Sequence, residues 1–364
     1  MALITVGAGL SAVGSAGDAR SLAATRRNEG RGAAPVVAAR RVPLGLPEKW
    51  DFLFYDADSG EAFVSHRTEI TVVNPDRGVI SGHVTGIGGS HGIVVVSSLR
   101  RGYADAAFTR TVVVFDSRTL RALKTIPVGE DPDAMVYDPR DRRVFVMDAD
   151  GEAFTAIDAV KGVPLATVPL GGKPEFAAVD GAGKLFINIA SKNEMVRVDA
   201  RMLRVEARWA LPGCQSPHGL AINAPEGRLF ASCENGKLEV VTARGGRIVA
   251  TLPIGMDSDA VTFDSKHKLV YSSNRDGTLS IIAERAPDEF VAKDPIHTPV
   301  GAGTMALDAT TGRIFLVVSD RNCIAPSTGG GGPVGRVANH SGATLLVLAH
   351  PWKAAGRQVR LPCN

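Results

Sequence analysis

One internal repeat constrains this chain more than any other feature. Each copy begins with a polar residue, four mostly apolar residues and a turn-forming residue, most often Asp. An Arg or Lys with an apolar run follows, then a second apolar run, and a third that ends in Pro-x-Gly. The clearest copy opens as D-A-M-V-Y-D at Asp133 and continues as R-V-F-V from Arg143, F-T-A-I-D from Phe154 and P-L-A-T-V-P-L-G-G from Pro164. Other copies open at Asp51, His91, Glu175, His218, Asp259 and Gly303, so successive starts lie 40 to 44 residues apart. A period of that length built from four short strands is one propeller blade, and seven starts give seven blades. The strands are rich in Val, Ile, Phe and Leu and are bounded by Asp, Asn, Gly and Pro, the grammar of an all-β chain. A helical solenoid would need apolar residues three and four apart over long windows, and no such pattern is present.

The predicted fold is therefore all-β: a seven-bladed β-propeller of four-stranded blades. The last repeat supplies three strands, near 304–308, 313–318 and 343–348. The run V-V-A-A-R-R-V-P-L from Val36 has no blade of its own. It is expected to add an outer strand to the last blade and close the ring, which removes free sheet edges. The tail R-Q-V-R-L-P from Arg357 competes for that place. Residues 35–364 form the propeller, and residues 1–34 are a flexible leader or a degenerate signal segment. Residues 2–19 are small and apolar but lack a basic start, and the following stretch is rich in Ala, Gly and Arg.

Several function classes are disfavoured by composition. No run of 18 apolar residues exists, so a transmembrane segment is not expected. The net charge of +3 lacks the clustered basic face that phosphate binding needs, and aromatics at 5% are too few for a base-stacking platform. Nucleic acid is thus not an expected partner. A monomer is expected. No nucleophile elbow, phosphate loop or dinucleotide loop stands in a fitting context.

The segments T-V-V-V-F-D from Thr111, I-P-V-G-E-D-P-D-A-M-V-Y-D-P from Ile126 and P-L-G-G-K-P-E-F-A from Pro169 carry a resemblance. Over roughly residues 36–350 the chain resembles the YVTN-repeat β-propeller family, also called YncE-like proteins. The resemblance implies the propeller fold and an exported bacterial protein, and it implies no particular reaction. The Gly-rich stretch near Gly329 and the shortened second blade after Ser97 depart from the pattern.

The repeat phase makes a stronger functional statement than any short motif. In a propeller the innermost strand of each blade lines a central channel, so equivalent residues lie on one circle. The first residues of the repeats are Asp51, His91, Asp133, Glu175, His218, Asp259 and Gly303. Four carboxylates and two imidazoles are thus expected to face the channel mouth. Crowded carboxylates raise one another's pKa unless a cation relieves them. No cofactor is fixed by the residues; a divalent metal ion on His91, Glu175 and His218 is the candidate. A second tier is expected behind the ring, with His66 near Asp51, Asp148 near Asp133, Asn188 near Glu175 and Cys233 near His218. By contrast Asp56, Asp138, Asp180, Asp264 and Asp308 are read as turn formers.

Of the four cysteines, Cys214 and Cys233 flank the inner hairpin of the fifth blade and are expected to form a disulfide. A reactive Cys233 thiolate beside His218 is the competing reading. Cys323 and Cys363 could pair to staple the tail. Disulfides belong to oxidising compartments, which favours a periplasmic or secreted protein. Two readings of function lead: an exported propeller that binds a small ligand, metal or protein at the channel mouth, or a metal-assisted hydrolase, lactonase or lyase using the mouth residues. A propeller partner of a redox enzyme ranks behind both.

Overall fold

The computed structural model describes residues 38–45, 49–319, 342–349, 351–354 and 359–360. Seven antiparallel sheets follow one another along the chain, one for each predicted repeat. Blade three shows the plan: Pro132–Asp138, Arg143–Asp148, Ala153–Asp158 and Val163–Pro169 pair in that order from the inside out. Its two middle strands are almost wholly buried, while the outer strand is largely exposed with alternate residues half-buried.

The continuous apolar runs of the middle strands have a geometric cause. Alternate side chains on a strand point to opposite faces, and each blade has a neighbour on both faces. Val144 and Val146 pack with Tyr103 and Val114 of blade two, whereas Phe145 and Met147 pack with Leu185 and Ile187 of blade four. The same division recurs around the ring, so the described core is a circle of seven interblade layers.

Ring closure follows the expectation. Ala38–Gly45 is the outer strand of the last blade, antiparallel to Ala343–Ala349, with Val42 opposite Leu345. Blade seven is completed by Arg313–Ser319 and Met305–Asp308. The expected competition from the tail does not occur: Val359–Arg360 instead pairs in parallel with Ile296–His297 of blade six.

The turn-forming Asp residues act as read from the sequence. Asp138 accepts the Arg140 amide at 3.0 Å, Asp180 the Ala182 amide at 2.7 Å, Asp264 the Lys266 amide at 3.0 Å and Asp308 the Thr310 amide at 3.0 Å. Asp56 holds the Asp58 amide more loosely, at 3.3 Å. In blade two a 3-10 turn at Ser97–Leu99 replaces this device, and it leads into the second strand, Arg101–Ala106. Among the described residues no helix is long and apolar enough to cross a membrane. The leader, Cys323, Cys363 and the Gly-rich stretch at Gly329 lie outside the described residues.

Candidate functional site at the channel mouth

A local backbone device turns the ring residues inward. In blades three to six the pairing of the inner strand with its neighbour shifts register at the ring position. The shifts fall between Pro132 and Met135, Pro174 and Ala177, Pro217 and Leu220, and Ser258 and Ala260. Asp133, Glu175, His218 and Asp259 therefore sit in bulges, which release a residue from the ladder and re-aim its side chain. Two residues earlier, Asp131, Ser216 and Asp257 hold left-handed backbone, with φ of 52°, 50° and 53°. These turns swing the chain from the outer loop into the channel.

The six ring side chains Asp51, His91, Asp133, Glu175, His218 and Asp259 line one cavity of about 240 Å³. Gly303, the seventh ring position, is not among the lining residues; its neighbour Thr304 is. A Cβ at Gly303 would lie 2.8 Å from Asp259 Oδ2 and 2.9 Å from Arg275 Nε, so the Asp259–Arg275 pair takes up that space. Phe52 and Phe176, each one residue deeper than a ring residue, also line the cavity. They come from blades one and four and stack at 4.8 Å between ring centroids. The stack gives the polar mouth an apolar floor.

The ring groups into two clusters and an ion pair. His91 Nδ1 lies 2.6 Å from Asp51 Oδ2 and 3.8 Å from Asp133 Oδ1. His218 Nε2 lies 3.5 Å from Glu175 Oε2, and its Nδ1 lies 3.5 Å from Glu234 Oε1. Arg275 holds Asp259 at 2.8 Å. Among the described residues the group of three donors close enough to share a metal ion is Asp51, His91 and Asp133. This grouping differs from the expected His91, Glu175 and His218, because adjacency around the ring follows blade order: His91 lies between the acids of blades one and three.

Charge crowding perturbs the mouth. Five carboxylates face the cavity (Asp51, Asp131, Asp133, Glu175 and Asp259) against two cations, Lys173 and Arg275. Burial raises the Asp133 carboxyl to about 7, with the Asp51 and Glu175 charges adding to it. Burial likewise raises Glu175 to about 7, against the opposing pull of Lys173. Asp259 is raised by burial even beside Arg275. The hydrogen bond to Asp51 raises His91.

The second tier stands opposite the ring within its own hairpins, where Asp148 pairs with Pro132 and Cys233 with Pro217, and its side chains make bonds of their own. His66 is buried and its Nδ1 lies 3.0 Å from Thr71 Oγ1. Asp148 accepts the Gly129 amide at 3.1 Å and the Thr155 hydroxyl at 2.6 Å. Asn188 donates to the carbonyls of His218 and Gly219, at 3.0 and 3.1 Å, and so braces the next blade rather than Glu175. Cys233 is bonded to Cys214, which removes the thiolate reading. Sequence reasoning overlooked Asp105, whose carboxylate accepts the amides of His91 and Gly92. Its signal was present: Asp105, Asn188 and Ser273 all occupy the fifth position of a second strand. It also overlooked Lys173, Arg275 and the Phe52–Phe176 pair.

No protein-family profile matches the chain, and no curated protein matches it. Solved structures of similar fold do. The WD40 repeats of RRP9 superpose with a TM-score of 0.73 at 8% identity, covering 87% of this chain and 99% of that one. A streptogramin B lyase gives 0.65 at 12% identity, covering 85% and 97%. Hydrazine synthase from Kuenenia stuttgartiensis gives 0.62 at 16% identity, covering 73% and 91%. At these identities the likeness is one of fold: a β-propeller with WD40-like and lyase-like structural neighbours.

Proposed function

We propose that this protein is an exported, YncE-like propeller that acts as a monomer and binds a small polar ligand at its channel mouth. The carrying observation is that ring side chains from six blades converge on one cavity with five carboxylates against two cations. Such a site favours a ligand that carries a positive charge or donates hydrogen bonds toward Glu175 and His218. The Phe52–Phe176 floor would meet its apolar part. The Cys214–Cys233 disulfide supports an oxidising compartment, periplasmic or extracellular. The repeat segments from Thr111, Ile126 and Pro169 support the YVTN-repeat assignment.

Calorimetric titration with small amines, agmatine and putrescine, tests this reading. Saturable 1:1 binding that weakens at least ten-fold in Glu175→Gln supports it; heat no greater than dilution would overturn it.

A second reading, a metal-assisted hydrolase, lactonase or lyase, draws on one further observation. Glu175 gains and loses its proton at about 7 and lies 3.5 Å from His218, an arrangement suited to general acid–base work. The likeness to a streptogramin B lyase concerns fold and does not by itself transfer chemistry. Turnover of chromogenic esters and lactones by the wild type, lost in Glu175→Gln, would favour this reading over simple binding.

A further inference from the structure

We propose that Asp51, His91 and Asp133 form the seat of a divalent first-row transition-metal ion on one side of the channel mouth. This deepens the reading of the mouth as a binding site and rests on it. Three consecutive blades each supply one donor, and one donor atom from each lies within 4.8 Å of the other two. Around an ion with bonds of about 2.1 Å, neighbouring donors stand about 3.0–3.4 Å apart. The distances from His91 Nδ1, 2.6 Å to Asp51 and 3.8 Å to Asp133, bracket that spacing, so small rotations of the two carboxylates would bring the set into place. The imidazole selects a transition metal over calcium or magnesium, which prefer oxygen donors alone.

The backbone that presents His91 is already held. Asp105 accepts the His91 amide at 2.7 Å and the Gly92 amide at 2.6 Å, with its own side chain fully buried. The strand end from which the imidazole projects is thereby fixed.

An independent observation also points to a cation in this cavity. Glu175 is only 8% exposed and lines it, yet among the described residues its carboxylate accepts no hydrogen bond; the His218 ring stands 3.5 Å away. A buried carboxylate in that position lacks compensation that a bound cation would supply. Three protein donors would leave further coordination positions for a ligand from the cavity to complete the shell.

Titration of chelator-stripped, dialysed protein with MnCl₂, followed by electron paramagnetic resonance, tests the proposal. The expected result is loss of one equivalent of the free-ion signal per chain, with calorimetry giving the same stoichiometry for ZnCl₂ and far weaker binding of CaCl₂. His91→Gln and Asp133→Asn are each expected to weaken Mn²⁺ binding at least ten-fold, while His267→Gln, at a distant turn, leaves it unchanged. Should either variant fail to fold, spin-echo spectra of the wild-type Mn²⁺ complex provide the decisive reading: a nitrogen coupling from a bound imidazole is expected. Absence of that coupling, no binding by the wild type, or undiminished binding in folded His91→Gln would overturn the proposal. If Mn²⁺ fails to bind while agmatine still does, the metal seat alone is wrong. If neither binds, the mouth is not a binding site.

Discussion

Asp105 lies fully buried behind His91, and its two carboxylate oxygens sit 2.7 and 2.6 Å from the amide nitrogens of His91 and Gly92. The buried carboxylate thereby satisfies two donors just where blade two turns into the channel. Asp105→Ala leaves both amides without an acceptor, at about 1–3 kcal/mol for each buried group. The expected outcome is a loss of about 2–4 kcal/mol in urea unfolding, with Asp105→Asn, which keeps one acceptor, losing less. Equal stability of Asp105→Ala and wild type would show that these contacts are unimportant.

Glycine follows the ring histidine in blades two and five for a steric reason. A Cβ at Gly92 would lie 2.1 Å from the Asp133 carbonyl oxygen, and one at Gly219 would lie 2.7 Å from the Val261 amide nitrogen. In each case the clash is with the backbone of the next blade, which cannot rotate aside. Gly92→Ala is expected to cost about 3 kcal/mol or more. Gly245→Ala, where nothing lies within 4 Å, should stay within about 0.5 kcal/mol of wild type. Thermal melts of the two alanine variants check the order.

Asp148 should make stability depend on pH. Burial raises its folded-state pKa to about 7, although it accepts hydrogen bonds from Gly129 and Thr155. Its unfolded-state pKa is about 3.9. Between those values the folded chain holds a proton that the unfolded chain has released. The resulting stability is fully present below the unfolded value and is lost as pH rises through the folded one. Asp148→Asn removes that loss. Its stability relative to wild type should therefore rise from pH 4.5 to pH 7.5, by an amount on the order of 2–4 kcal/mol. Urea midpoints at the two pH values measure it, and a constant difference would contradict the assignment.

The Cys214–Cys233 bond closes a loop of 19 residues in sequence separation within blade five. A loop of that size predicts about 3 kcal/mol of stabilisation through restriction of the unfolded chain. The double Cys→Ser variant, and wild type under reductant, should both melt lower and by similar amounts. Mass spectrometry of the alkylated native protein checks the pairing itself.

What could be read from the chain followed from periodicity. The blade count and the closing strand Ala38–Gly45 depend on repeat phase, which the sequence carries directly. The ring positions share that origin, since each opens a repeat. What could not be read depends on neighbours across blades. Counting along one hairpin places Asn188 opposite the Glu175 bulge, and the flanking pair Pro174–Ile189 agrees, but the hairpin alone does not show that the Asn188 amide reaches the His218 and Gly219 carbonyls of the next blade. Arg275 directly follows a second strand and reaches the ring through Asp259, and no spacing within its own repeat announces that contact. The donors that meet differ from the expected set for the same reason, because ring order rather than residue type decides which side chains are adjacent.

The central claim is that residues from separate blades make one binding site. Calorimetric titration of agmatine into wild type, Asp51→Asn, Glu175→Gln and Asp259→Asn tests it most directly, since these acids belong to blades one, four and six. Convergence predicts a single 1:1 event weakened in all three variants, with their melting temperatures kept within a few degrees of wild type. Affinity unchanged in all three folded variants, or no binding by the wild type, would contradict it.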